Sequence, residues 1–203
     1  MTEQKKILMR TRFDGYLPIV IDTETSGLNP LKNALLEIAA VAIEIEDNQF
    51  ICGETFTTHV HAFEGAHIDP AAMEINKIDP YHPFRFAVDE QHALEKMFEF
   101  IEALLKKHGC RRGVLVGHNA HFDLSFLQMA MKRCKIDKSP LHAFTCLDTA
   151  TLGALVYGKT VLAKIMKVAA IEFDKDKAHS AVYDAQKTAE LFCKMLNAQQ
   201  ITS

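Results

Sequence analysis

No apolar run in the chain approaches the ~18–20 residues that a membrane span requires, so no membrane-embedded part is expected. The first nine residues carry two lysines but no apolar core of a leader peptide, and a cytoplasmic location is expected. No C-x-x-C pair occurs. The five cysteines, Cys52, Cys110, Cys134, Cys146 and Cys193, are odd in number and scattered. That argues against a disulfide framework and a thiolate metal centre, and it suits reduced thiols. Internal repeats, low-complexity tracts and linkers are also missing. The 203 residues therefore read as one domain, 1–203, preceded over 1–17 by a polar, basic and poorly ordered arm. Nor is there an excess of positive charge: the net charge is −3, so the chain as a whole does not announce a polyanionic partner.

The charge is unevenly placed, however. Between Leu104 and Lys138 there are eight Lys/Arg against two Asp, a local +6 that leaves −9 for the remainder. Such a block is either a footprint for phosphate or a solvated helix-and-loop surface, and the count alone does not choose between them.

Hydrophobic patterning divides the chain. Ile19-Val20-Ile21 reads as a buried strand, 34–45 as a long second strand and 50–60 as a third, with a turn at Asp47-Asn48. Three strands with short turns suggest an antiparallel meander. Residues 61–90 contain Gly65, Pro70, Pro80, Pro83 and a short helical piece near 70–77. An irregular insertion of that length often carries function. Apolar residues at helical spacing then place a helix over 90–108, closed by Gly109. A short strand at 114–116, a helix at 124–134 and a strand at 142–147 follow. Asp148-Thr149 would cap a helix over 150–156, and further helices fit 160–168 and 181–197. The fold class expected is α/β: a mixed sheet, three antiparallel strands then parallel ones, flanked by helices.

Chemistry concentrates at the ends of these elements. Asp22 and Glu24 close the first strand two residues apart, so their side chains stand on one face. Asp123 lies at a strand-to-helix junction, and Asp184 in the first turns of the last helix, with Ser180 as its expected N-cap and His179 in the loop before it. Like charges this close repel, which raises a pKa unless a cation intervenes. Hard divalent cations take oxygen ligands, and two of them ~4 Å apart can clamp an in-line phosphoryl displacement. An all-oxygen set predicts Mg²⁺ or Mn²⁺ rather than Zn²⁺. A histidine beside them can take a proton from an attacking water. Taken singly, each group has a plainer reading: a surface acid pair, a helix cap, a satisfied polar histidine.

Together the motifs carry a resemblance. Asp22-Thr23-Glu24-Thr25-Ser26-Gly27-Leu28, His118-Asn119-Ala120-His121-Phe122-Asp123 and His179-x-Ala181-x-x-Asp184 resemble the three motifs of the DEDDh 3′→5′ exonucleases, a family similar to ribonuclease H in fold. Histidine five residues before the last aspartate matches its "h" subclass. The insertion Phe63-Glu64-Gly65-Ala66, Pro70 and Asn76-Lys77-Ile78-Asp79-Pro80, and the Gly109-Cys110 turn, resemble the ribonuclease T branch. The resemblance implies a homodimer that trims 3′ ends of transfer RNA and other stable RNA, and single-stranded DNA, to 5′-mononucleotides. It implies that Asp22, Glu24, Asp123 and Asp184 hold two Mg²⁺ ions, with Asp22 bridging, and that His179 is the base. Lys106, Arg111 and Arg112, with Arg12 from the arm, would form a basic patch serving the partner's site. Phe122 and Phe144 match positions that hold terminal bases, while Leu28 and Ile75 stand where the pattern commonly has phenylalanine. The plainer reading makes both phenylalanines core.

Other residues read as structural: Glu37 inside the second strand as a paired acid, Asp148 as a cap, His59 and His61 as strand polarity, Met129, Met131 and Met166 as core, and His121 as facing solvent. Three rival functions follow from the same residues: a polymerase-bound DNA proofreading exonuclease, an oligoribonuclease, and a non-catalytic nucleic-acid-binding module. Four clustered acids argue against the last, because they repel phosphate unless metals are used.

Overall fold

The computed structural model of the protein describes residues 8–199. Five strands form one mixed sheet in the order β3-β2-β1-β4-β5. Strands β1 (Tyr16–Thr25), β2 (Leu35–Glu46) and β3 (Gln49–His59) make the antiparallel meander; β4 (Arg112–Gly117) and β5 (Leu141–Asp148) run parallel to β1. The expected ribonuclease H-like architecture is therefore present. Asp47 and Asn48 join β2 to β3 with φ of 47° and 60°, the left-handed pair a two-residue hairpin with the right twist needs.

Local chemistry explains the details. Pro18 sits in the central strand, yet β1 pairs with β2 only from Ile19 onward, so the missing N–H removes no ladder bond on that side. β2 reads as an unbroken apolar run because both its faces are covered: Leu35–Ile43 are buried apart from half-buried Glu37. In β3 one extra residue opposes the step from Val41 to Ile43, a bulge that reverses which side chains face which layer. Before it, Phe50 points at α6 (Ala181–Ala198), and the Asn197 side chain bonds its backbone N–H and C=O at 2.8 and 2.9 Å. After it, Phe56 stacks at 5.8 Å on Phe100 of α2 (Glu90–His108), so α2 and α6 lie on opposite faces. Gly109 ends α2 in the left-handed conformation at φ 63°, as its position after the last periodic residue predicts.

A buried acid and a half-buried arginine hold the α2 side together. Arg133, at the end of α3 (His121–Arg133), binds Glu90 through Nε at 2.8 Å and a terminal nitrogen at 2.6 Å. Its other terminal nitrogen donates to Pro30 O at 3.0 Å, and its guanidinium lies 4.2 Å from the Phe63 ring centroid. The pair thus ties two helices to the loop after β1 and to the long insertion.

The structure corrects three boundaries. Tyr16 and Leu17 belong to β1, and residues 9–11 and 13–15 form short 3-10 turns that bury Met9 in the core, so the expected arm is docked from residue 8 onward. Its first seven residues lie outside the described ones. Helix α3 begins at His121, three residues early, because Asp148 reaches across to accept from Asn119 N and Ala120 N at 3.4 and 3.2 Å. Asp148 also accepts from Ala150 N and Thr151 N, capping the next helix, Thr149–Tyr157. Among the described residues no helix is long and apolar enough to cross a membrane.

Candidate active site

The second half of β1 delivers the first two acids. Asp22 and Glu24 share one face of the strand, and Thr23 between them points the other way. Thr23 uses its backbone N–H and its hydroxyl to donate to one oxygen of Asp123, at 2.9 and 2.8 Å across 100 residues of sequence. These two hydrogen bonds lock the first turn of α3 against β1. Asp184 enters from α6: its Oδ2 accepts from the His179 N–H at 2.8 Å, and its Oδ1 is buried with no partner among the described residues. Ligand atoms of Glu24, His179 and Asp184 lie within 4.8 Å of one another. His179 itself has φ 67°, a conformation that costs a histidine about 1–3 kcal/mol and sets its exposed ring at the mouth of the cluster.

All four acids bind their protons more tightly than ordinary carboxylates, Asp22 and Glu24 through burial and neighbouring acids, Asp123 and Asp184 chiefly through burial. Burial pushes Asp22 well above the ordinary aspartate range, and the negative charges of Asp123, Glu24, Asp184 and Glu37 push it further. Burial, Asp184 and Glu37 raise Glu24 to about 8, against a hydrogen bond from Asn76. Asp123 rises to about 7 through burial, resisted by Thr23. Asp184 is raised by burial, opposed by the His179 N–H and ring. Four carboxylates that hold protons this tightly, one with an orphaned buried oxygen, fit a hard divalent cation: an all-oxygen donor set with negative charge to neutralise.

Two contributors were not assigned to the site by sequence reasoning. Glu37 pairs with His59 Nδ1 at 3.0 Å, as its apolar surroundings in β2 suggested, but its second oxygen also accepts from Ala181 N at 3.4 Å. It thereby does what Ser180 was expected to do, since the Ser180 side chain makes no capping bond. Asn76 closes the short helix α1 (Pro70–Asn76) and donates to Thr25 O at 3.1 Å besides bonding Glu24. No periodicity signals Asn76; it matters only because the insertion folds back onto β1.

A cleft of ≈ 480 Å³ opens beside His179, lined by Ile75, Asn76, Lys77, Lys177 and Tyr183. Leu28 and Ile75 are 83% and 57% exposed, and Phe122 is half-buried, 4.9 Å from the ring of Phe126. Phe144 is 79% exposed, edge-on to His142, so the core reading of that ring does not hold. A groove of ≈ 570 Å³ between α2, α3 and the start of β5 holds none of the four acids.

The basic residues are elsewhere. Arg112 pairs with Tyr16 at the start of β1, six residues before Asp22, or ~20 Å along the strand. Arg111 donates its N–H to Gly15 O and lays its guanidinium 4.5 Å from the Tyr16 ring centroid. Lys106 is exposed in the last turn of α2, and Arg12, half-buried, rests 5.2 Å from the Phe13 ring centroid. All four sit at the end of the sheet opposite the acids of the same chain.

Comparison with known proteins meets this geometry from outside. The sequence profile of the exonuclease family RNase_T matches residues 19–192, a span that includes all four acids. The chain is 48% identical over 200 residues to ribonuclease T of Vibrio cholerae serotype O1, covering 97% of this chain and 89% of that one. It is 47% identical over 197 residues to ribonuclease T of Vibrio parahaemolyticus, covering 96% and 92%. In fold it is similar to E. coli exonuclease I solved with a dT13 oligonucleotide, with a TM-score of 0.72 at 17% identity, over 91% of this chain. The chain spans 42% of the length of that enzyme.

Proposed function

Because the chain belongs to the RNase_T exonuclease family, it is a 3′→5′ exonuclease, and we propose that it trims the 3′ ends of transfer RNA and other stable RNAs in the cytoplasm and also degrades single-stranded DNA. The name of its Vibrio relatives supports RNA as substrate. The observation that supports the chemistry is the cluster of Glu24, His179 and Asp184, whose ligand atoms lie within 4.8 Å of one another, with the charges of Asp123, Glu24 and Asp184 all acting on Asp22.

Asp22, Glu24, Asp123 and Asp184 would hold two divalent cations, Mg²⁺ or Mn²⁺. When bound, such ions neutralise the phosphate and acidify the attacking water. His179 takes the water's proton on its imidazole, whose ordinary pKa lies near neutrality. Thr23 keeps Asp123 in register with β1, and Asn76 does the same for Glu24. Water attacks the last phosphodiester and the product is a 5′-mononucleotide. Phe122, Phe144, Leu28 and Ile75 hold the terminal bases. A base stacked on an aromatic ring contributes ~1–3 kcal/mol, so the two aliphatic positions soften the grip relative to an all-phenylalanine pocket.

The basic residues support a homodimer. Arg112 lies ~20 Å along β1 from Asp22, and together with Lys106, Arg111 and Arg12 it would steer a polyanion into the site of a second copy rather than its own. Digestion of 3′-overhanging RNA and DNA, with Mg²⁺ and with chelator, tests the activity: nucleotides are expected from the 3′ end only with metal. Metal-independent shortening overturns the site; activity confined to very short RNAs favours an oligoribonuclease. The dimer is tested by mixing Asp184→Asn protein with the Arg111→Ala/Arg112→Ala variant. Activity above that of either alone is expected, because the mixed dimer joins intact acids to an intact patch; no gain overturns service in trans.

A further inference from the structure

Strand β5 does not keep step with β4. Gly113 pairs with Leu141 and Leu115 with Cys146, so two residues gained along β4 meet five along β5, and residues 142–145 bulge from the ladder. β5 is an edge strand, and a bulge on an edge re-aims the side chains it carries. This one presents Phe144 to solvent.

One side chain organises the bulge. Neither Phe144 nor Thr145 is paired with β4, and His142 Nδ1 accepts from their N–H groups at 3.4 and 3.0 Å. The same imidazole stands edge-on to the Phe144 ring, with centroids 4.6 Å apart and planes at 85°. It is also edge-on to Tyr16 of β1, at 5.2 Å and 81°, and Tyr16 in turn carries the Arg111 guanidinium. Gln128 of α3, the helix that bears Phe122 and Asp123, donates to Ala143 O and grips the bulge as well. The bulge is at the surface, so water can take up its N–H groups if His142 is lost. Loss of His142 is therefore felt in the placement of the Phe144 ring more than in folding. A ring that is fixed in advance costs less to order when a ligand arrives.

We propose that His142 is a positioning residue for Phe144: its Nδ1 and its ring hold the β5 bulge in one conformation, so that the exposed phenylalanine meets a substrate base already oriented. The inference rests on the reading above that Phe144 holds a terminal base. His142 acts through the bulge backbone and the Phe144 ring, and takes no part in the metal or proton chemistry.

The test is steady-state trimming of a single-stranded oligonucleotide by the full chain with Mg²⁺. Phe144→Ala should raise KM roughly 5–100-fold, the loss of one stacked base. His142→Ala should raise KM about 3–10-fold, the cost of ordering a ring no longer held, with kcat within about twofold. His142→Asn should recover most of that loss, because its amide oxygen can accept the same backbone N–H groups. The double variant His142→Ala/Phe144→Ala should be no weaker than Phe144→Ala alone, since the histidine acts through the ring. An unchanged KM in His142→Ala beside an impaired Phe144→Ala overturns the positioning role and leaves the base-holding reading standing; an unimpaired Phe144→Ala overturns both. A loss in kcat instead of KM, an Asn variant no better than Ala, or a double variant whose losses simply add also overturns the positioning role.

Discussion

Glu90 and the four acids around Asp22 are carboxylates withdrawn from water by the same fold, and they are treated in opposite ways. Glu90 meets the guanidinium of Arg133 through two bonds of 2.8 and 2.6 Å, and that guanidinium spends another nitrogen on Pro30 O. Asp22 meets no cation among the described residues: the charges acting on it are four further acids, Asp123, Glu24, Asp184 and Glu37, and Glu24 feels Asp184 and Glu37 in the same way. An acid that the chain neutralises with its own cation is a structural joint. Acids left to repel each other are stable as anions only with a cation from outside. The contrast separates architecture from chemistry without reference to any ligand.

The sharpest way to break the comparison is to remove charge from each side. Asp184→Asn should lower turnover by roughly 10³-fold or more while leaving single-strand binding nearly intact; steady-state assays paired with a binding titration check it. His179→Ala should cost about 10²–10⁴-fold, with less effect on metal binding measured by calorimetry, since the ring acts on a proton. Glu90→Ala should do the reverse: it leaves the half-buried Arg133 with only Pro30 O and the Phe63 ring as partners, and a loss of ~1–3 kcal/mol is expected in urea melts, with kcat of the folded fraction unchanged.

The pH dependence sharpens the same point. Glu24 titrates near 8 and Asp123 near 7 in the folded chain, above ordinary values of 4.5 and 3.8. The folded state therefore holds more protons than the unfolded one, and stability of the metal-free protein should fall as pH rises from about 4 to about 8. Added Mg²⁺ or Mn²⁺ should reverse the fall most strongly near pH 8; thermal melts that rise with pH without metal would contradict the grouping. The smallest effect expected is at the far end of the sheet. Lys106→Ala should weaken RNA binding almost independently of sequence and reduce the slope of log K against log salt by roughly 1.

Much of this was legible along the chain. The i, i+2 acids of β1, the turn at Asp47-Asn48, the stop at Gly109 and the cap at Asp148 are local events, decided by residues a few positions apart. The insertion over 61–90 was visible only as a long irregular stretch, because its structure rests on distant bonds: Asn33 Nδ2 to His67 O at 2.7 Å, Arg85 to Leu36 O at 2.7 Å, and Asn76 to Thr25 O. The β3 bulge was likewise silent, since an extra residue shows only against the partner strand. Phe144 reads as a core residue by type and is exposed by placement.

From the sequence alone came the kinds of group available and the element ends that present them, because turns, caps and strand alternation are short-range physics. Only the tertiary structure decided which charges meet. It drew Thr23 and Asp123 together across 100 residues, gave Glu90 an arginine and Asp22 none, and set the basic residues at the opposite end of the sheet. Burial and Coulomb energy depend on distance through space, and chain separation carries no information about that until the sheet and its covering helices close around the site.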